Sequence, residues 1–196
     1  MLKKIIQLTF LFILTGMMAS SGNTTNYQNN TDTTNDSRKN KKKNTDDCTE
    51  TKLEFTGEGL DVKDFKVVFT KINAVTMQSK GKKYPALFIV LANYGKGKRY
   101  LRRPKEKGQI QLTMSFNGKT GSKISARKYD ASTRGFGQGD NFSANFSSSD
   151  RSYRFNKPTG VSEITYYGKD KICGKIEIKN AKGNTILKGT FSVNRK

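Results

Sequence analysis

The chain of 196 residues contains no histidine. That removes Ser–His–Asp triads, most catalytic zinc sites and the usual general base near neutral pH. It has two cysteines, Cys48 and Cys173. If they pair, no thiol nucleophile is left. Carboxylates are scarce, with 16 Asp and Glu against 37 Lys and Arg. Calcium needs several clustered oxygen ligands; Asp140 with Asn141 is too sparse a group, so no metal site is expected. Gly118-Lys119-Thr120 echoes the end of a phosphate loop, but the glycine required five positions earlier is Thr113. The glycine-rich stretch 135–140 does not have the GxGxxG spacing. No cofactor is therefore expected. One apolar run exists, residues 5–14, whereas a transmembrane helix needs about 20 apolar residues. No window carries a 3.6-residue apolar stripe, and no internal repeat is found.

What is present begins with Met1, Lys3 and Lys4, the apolar run, and small residues at Ala19, Ser20 and Ser21. This is the layout of a secretory signal peptide, residues 1–21, with cleavage expected after Ser21. Leu14-Thr15-Gly16 starts like a bacterial lipobox. Position 17 is Met17, where lipid attachment requires cysteine, and Cys48 lies too far downstream. The expectation is a secreted or periplasmic protein without a lipid anchor at Met17. Residues 22–47 are Asn, Thr, Asp, Ser and Lys, with Tyr27 as the lone aromatic and no aliphatic side chain. Such a segment cannot offset chain entropy by burial and is expected to be a disordered tether. Its run Lys39, Lys41, Lys42 and Lys43 is nearly balanced by Asp32, Asp36, Asp46 and Asp47.

Residues 48–196 are the expected folded domain. Phe65, Val67 and Phe69 alternate with Lys66, Val68 and Thr70. Ile110, Leu112, Met114 and Phe116 alternate with Gln111, Thr113 and Ser115. Phe142, Ala144 and Phe146 do the same, as do Ile176 and Ile178. Period-two alternation marks half-buried strands. Residues 86–92 are apolar without alternation and read as a central strand buried on both faces. Glycine-bearing breaks, Gly160 among them, separate these runs. The pattern predicts an all-β fold: an antiparallel β-sandwich, or partly open barrel, of about 8–10 strands. In an exported protein Cys48 and Cys173 should form a disulfide.

The stretch from Gly174-Lys175-Ile176 through Gly183 to Gly189-Thr190-Phe191-Ser192-Val193 resembles the closing hairpin of small secreted bacterial β-domains of unknown function. The resemblance implies a β-fold in an extracytoplasmic setting and carries no activity.

Residues 48–196 hold 30 basic and 12 acidic residues, a net charge of +18. That excess favours anionic partners. It peaks in residues 95–108, where Lys96, Lys98, Arg99, Arg102, Arg103, Lys105 and Lys107 face one acid, Glu106. Seven like charges repel one another and gain nothing for the fold. Arginine forks suit phosphate, sulfate or carboxylate, and Tyr94 and Tyr100 offer rings for stacking. Lys80, Lys82 and Lys83 form a second cluster, read as a solvated surface. Arg127, Lys128 and Arg134 form a third. The anion-binding expectation falls on Lys96, Lys98, Arg99, Tyr100, Arg102, Arg103, Lys105 and Lys107.

The partner expected is an anionic glycan or envelope component; nucleic acid fits the charge but not the export. No catalytic residue is assigned, and the protein is read as non-enzymatic. The alternatives are a glycan-acting enzyme using acids such as Glu54, Glu58, Asp61 and Asp64, or Glu163 with Glu177, and a purely structural or inhibitory secreted protein.

Overall fold

A computed structural model describes residues 48–57, 59–98, 100–132 and 139–195. The leader, the 22–47 tether, Glu58, Arg99 and Arg134 lie outside these residues. The described chain is all-β, with eleven strands: β1 (Lys52–Gly57), β2 (Leu60–Val62), β3 (Phe69–Ser79), β4 (Lys82–Ala92), β5 (Gln111–Asn117), β6 (Lys128–Ala131), β7 (Asn141–Ser147), β8 (Ser152–Arg154), β9 (Thr159–Tyr167), β10 (Lys171–Lys179) and β11 (Ile186–Asn194).

One hydrogen-bonded path joins them in the order β2-β1-β11-β10-β9-β6-β7-β5-β4-β3, with β8 on β7. Every pairing is antiparallel except β6 with β7. Phe55 on β1 and Phe146 on β7 stand five ladder steps apart, roughly 24 Å on a flat sheet. Their ring centroids are 4.0 Å apart. Phe116 on β5 and Phe191 on β11, also five steps apart, meet at 5.9 Å. The sheet is therefore folded over on itself into two layers around one core, and it does not close into a barrel. The fold turns at β6. This four-residue strand pairs with β9 through Lys128, Tyr129 and Asp130, and with β7 through Asp130 and Ala131.

The core follows the alternation in the sequence. Leu112, Met114 and Phe116 of β5 are fully buried, as are Phe142 and Phe146 of β7 to within 1 % exposure. Ile172, Ile176 and Ile178 do the same from β10. Burying such side chains contributes about 1.5–3 kcal/mol each. Cys48 and Cys173 form the expected disulfide, with Cα atoms 5.4 Å apart and a sequence separation of 125. In the chain-entropy account a loop of that length stabilises by on the order of 4 kcal/mol.

Three details differ from the sequence reading. Residues 65–68 alternate in burial without joining a ladder, and β3 starts only at Phe69. β4 is second from the sheet edge; Leu87, Ile89 and Leu91 are buried, while Phe88 and Val90 are half-buried. Gly160 sits inside β9 instead of at a break. Its φ is +108°, and a Cβ there would collide with the Glu177 carbonyl of β10. The chain needs glycine at this close approach.

Candidate functional site

The basic loop connects β4 to β5, and its base is tied shut by one side chain. The Asn93 amide nitrogen donates to the Gly108 carbonyl at 2.8 Å, and its oxygen accepts from the Ile110 N–H at 2.8 Å. The Tyr94 hydroxyl donates to the Arg102 carbonyl at 2.7 Å and lies 3.2 Å from Gln111 Oε1. Partial burial raises the Tyr94 pKa above its ordinary value of 10.0, so the phenol remains a donor. Tyr94 is thus a strut of the loop and not a stacking surface. Gly95 has φ +80°, and a Cβ would strike Leu101, which packs in the loop interior. Pro104 is buried as a second anchor.

The one acid is already engaged. The Gln109 side-chain amide donates to Glu106 Oε2 at 2.9 Å, while its oxygen accepts from the Lys105 and Glu106 N–H groups. Lys96, Lys98, Arg102, Arg103, Lys105 and Lys107 are all exposed. Among the described residues none of these six has an ion-pair partner. Arg99 lies outside the described residues. Tyr100 is 65 % exposed, and Lys71 Nζ from β3 sits 5.5 Å from its ring centroid. Lys71 therefore belongs to the site. No local sequence signal marks it, because the β3–β4 pairing brings it there.

The other cations behave differently. Arg127, from the third cluster, bonds Asp140 Oδ1 at 2.9 Å and the Lys123 carbonyl at 3.0 Å. Its guanidinium also lies 5.2 Å from the Tyr129 ring centroid. Asp140 accepts from the Lys119 N–H as well. This arrangement ties Arg127 to Asp140 and to the Lys123 carbonyl, while Arg127 Nε is buried without a hydrogen-bond partner. A cleft of about 800 Å³ lies beside it, lined by Lys119, Lys128, Lys157, Asp130, Asp140 and Asn141. Its three lysines are offset by two carboxylates. It adjoins the Asn117/Asn141 ends of β5 and β7, and the loop leaves from the opposite end of β5. The structure does not bring Arg127 and Lys128 of the third cluster together with the described residues of 95–108. The Lys80, Lys82 and Lys83 cluster sits at the tip of the β3–β4 hairpin, exposed.

Of the acids named as enzyme candidates, Glu54, Glu163 and Glu177 stand beside lysines on the outer face of the β1–β11–β10–β9 layer. Lys188 Nζ is 3.1 Å from Glu54 Oε2, and Lys188 is also in register with Glu177. Glu163 stands opposite Lys175 on one side and Lys128 on the other. Asp61 and Asp64 pair with Lys63 and Lys66 in fully solvated contacts. Among the described residues no group of three or more Cys, Asp or Glu side chains is placed to hold a metal. Asn141 is bonded to Asn117 and to the Gly139 carbonyl.

The disulfide is compatible with an exported protein, and no helix among the described residues is long and apolar enough to cross a membrane. Comparison with known proteins finds no matching family model, no matching curated protein and no matching solved structure.

Proposed function

We propose that this is an exported, non-enzymatic β-domain that holds an anionic surface or extracellular component, an acidic or phosphorylated glycan, through the 95–108 loop. One observation carries the reading. Six exposed cations are displayed on a hydrogen-bonded loop whose only carboxylate is occupied by Gln109. Surface cations that serve solubility alone are normally interspersed with acids, as on the outer sheet face. Here like charges are held together at an electrostatic cost that a multivalent anion would relieve. Arg102 and Arg103 are the forked donors for sulfate, phosphate or carboxylate. Lys71 and Tyr100 extend the surface toward a sugar ring. Export favours a glycan over nucleic acid.

The test is adhesion to immobilised heparin and to a phosphorylated glycan, eluted with a salt gradient. The wild-type protein is expected to be retained and then released by salt. Reversing Arg102, Arg103 and Lys105 to Glu should abolish retention. Unchanged retention of that variant would refute the loop assignment.

A further inference from the structure

The folded sheet ends in two free edges that are built differently. β2 is three residues long, contains Asp61 and is followed by Lys63 and Asp64. Short, charged edges resist pairing with other chains. β3, at the other end, is eleven residues long and, among the described residues, pairs only with β4. It carries no charge from Ile72 to Ser79, in a domain of net charge +18. Asn73, Ala74, Val75 and Thr76 are exposed, Val75 at 40 %. Because β4 meets β5 only from Ala86 onward, residues Met77 to Ser79 belong to a hairpin tip that extends past β5.

The register shows which backbone groups of β3 point away from β4. Ser79 and Lys82 close a two-residue turn in which Lys80 and Gly81 have φ of 48° and 72°. Such a turn makes its flanking pair a hydrogen-bonded one. Pairs then alternate, so Met77, Val75 and Asn73 bond β4, while Gln78, Thr76, Ala74 and Ile72 turn their N–H and C=O groups outward. Pro85 agrees with this phase. It lies opposite Thr76, has no N–H, and its carbonyl accepts from Gly118 on the far side.

We infer that the β3 edge is a strand-addition site for an extended acidic peptide segment of a partner protein. The backbone supplies a row of outward donors and acceptors, the geometry by which an added strand is held. Charge selects the occupant. Lys71 stands at one end of the neutral stretch, and Lys80, Lys82 and Lys83 stand at the other. The fitting segment has an uncharged, β-branched centre and acidic residues at both ends. At the Lys71 end it enters a cleft of about 440 Å³ between Thr70–Ile72 and Ser192–Asn194. The β3 edge of a second copy would bring its own flanking lysines on a domain of net charge +18, so it fits less well.

The probe is a fluorescent peptide, Asp-Asp-Thr-Val-Thr-Val-Thr-Val-Asp-Asp, titrated onto the full-length protein. Saturable binding is expected. Amide exchange at Ala74 and Thr76 should slow on binding, while Val75, already bonded to β4, is unchanged. The double variant Ala74→Pro, Thr76→Pro removes two outward donors and no β3–β4 bond. It should weaken binding by roughly tenfold or more. Exchange on the unaltered protein decides the matter if that variant does not fold. Three results would overturn the inference: binding without slowed exchange at Ala74 and Thr76, equal binding of a peptide with Lys in place of Asp, or slowed exchange that grows with protein concentration in the absence of peptide. The Arg102→Glu, Arg103→Glu variant separates this site from the loop and should retain the slowed exchange; its loss would place the peptide on the loop.

Discussion

Two basic surfaces of this domain use lysine in opposite ways. On the outer face of β1, β11, β10, β9 and β6, Lys52, Lys128, Lys175 and Lys188 share two cross-strand rows with Glu54, Asp130, Glu163 and Glu177. In these two rows four cations meet four carboxylates. Opposite charges across strands stabilise a sheet by a few tenths of a kcal/mol per pair. In the 95–108 loop the described cations have no such counterpart, and the loop is held by Asn93, Tyr94 and Gln109 instead. The net charge of the domain is therefore not spread evenly over its surface. Changes on the sheet side should cost fold, and changes in the loop should cost binding.

The sharpest break of that contrast is on the sheet side. Replacing Cys48 and Cys173 by Ser should lower unfolding free energy by on the order of 4 kcal/mol, read by urea denaturation. Gly160→Ala should follow with a loss of about 3 kcal/mol, because the new Cβ meets the Glu177 carbonyl at a positive φ. In the loop, the Arg102→Glu, Arg103→Glu, Lys105→Glu variant should leave the midpoint within about 0.5 kcal/mol of wild type. Its affinity for the proposed anionic glycan should nonetheless fall at least roughly tenfold.

Tyr94→Phe lies between the two classes. It removes a strut of the loop and should cost about 1 kcal/mol, with a smaller fall in affinity. It also has a pH signature. The folded-state pKa of Tyr94 is raised above 10.0 by burial. Its contribution to stability is complete below the unfolded value and is lost as pH rises through the folded one. The variant should lack that alkaline loss, which denaturation midpoints measured on either side of pH 10 would show. The smallest effect is expected from Lys188→Ala, within about 0.5 kcal/mol, since its pair with Glu54 is more than half exposed.

Much of the fold is legible in the sequence because burial leaves a period of two. Leu112, Met114 and Phe116 announce β5, and Phe142, Ala144 and Phe146 announce β7. The disulfide follows from an even cysteine pair behind a leader-like segment. β3 beyond Phe69 is illegible for the same physical reason: an edge strand with most of both faces in water shows no alternation. This missed strand is why eleven strands stand where about 8–10 are expected, together with the three-residue β2 and β8. The turn of the sheet at β6 is equally hidden, because four residues divide their pairing between two neighbours far away in sequence. Within the site, the cation cluster can be read directly from composition. The roles of Asn93, Tyr94, Gln109 and Lys71 cannot, because each depends on what the β4–β5 and β3–β4 pairings place beside it.

The Cys48–Cys173 bond also has a mechanical consequence. β1 lies near the edge of the sheet, where a pull on its N-terminal end would peel one ladder at a time. The bond connects the chain at Cys48 to β10, whose nine residues all pair with β11 and eight of them also with β9. Any force arriving from the chain before Cys48 is thus delivered to a doubly paired strand and bypasses β1. The edge strand is relieved of load, and two full ladders must shear together before the domain yields.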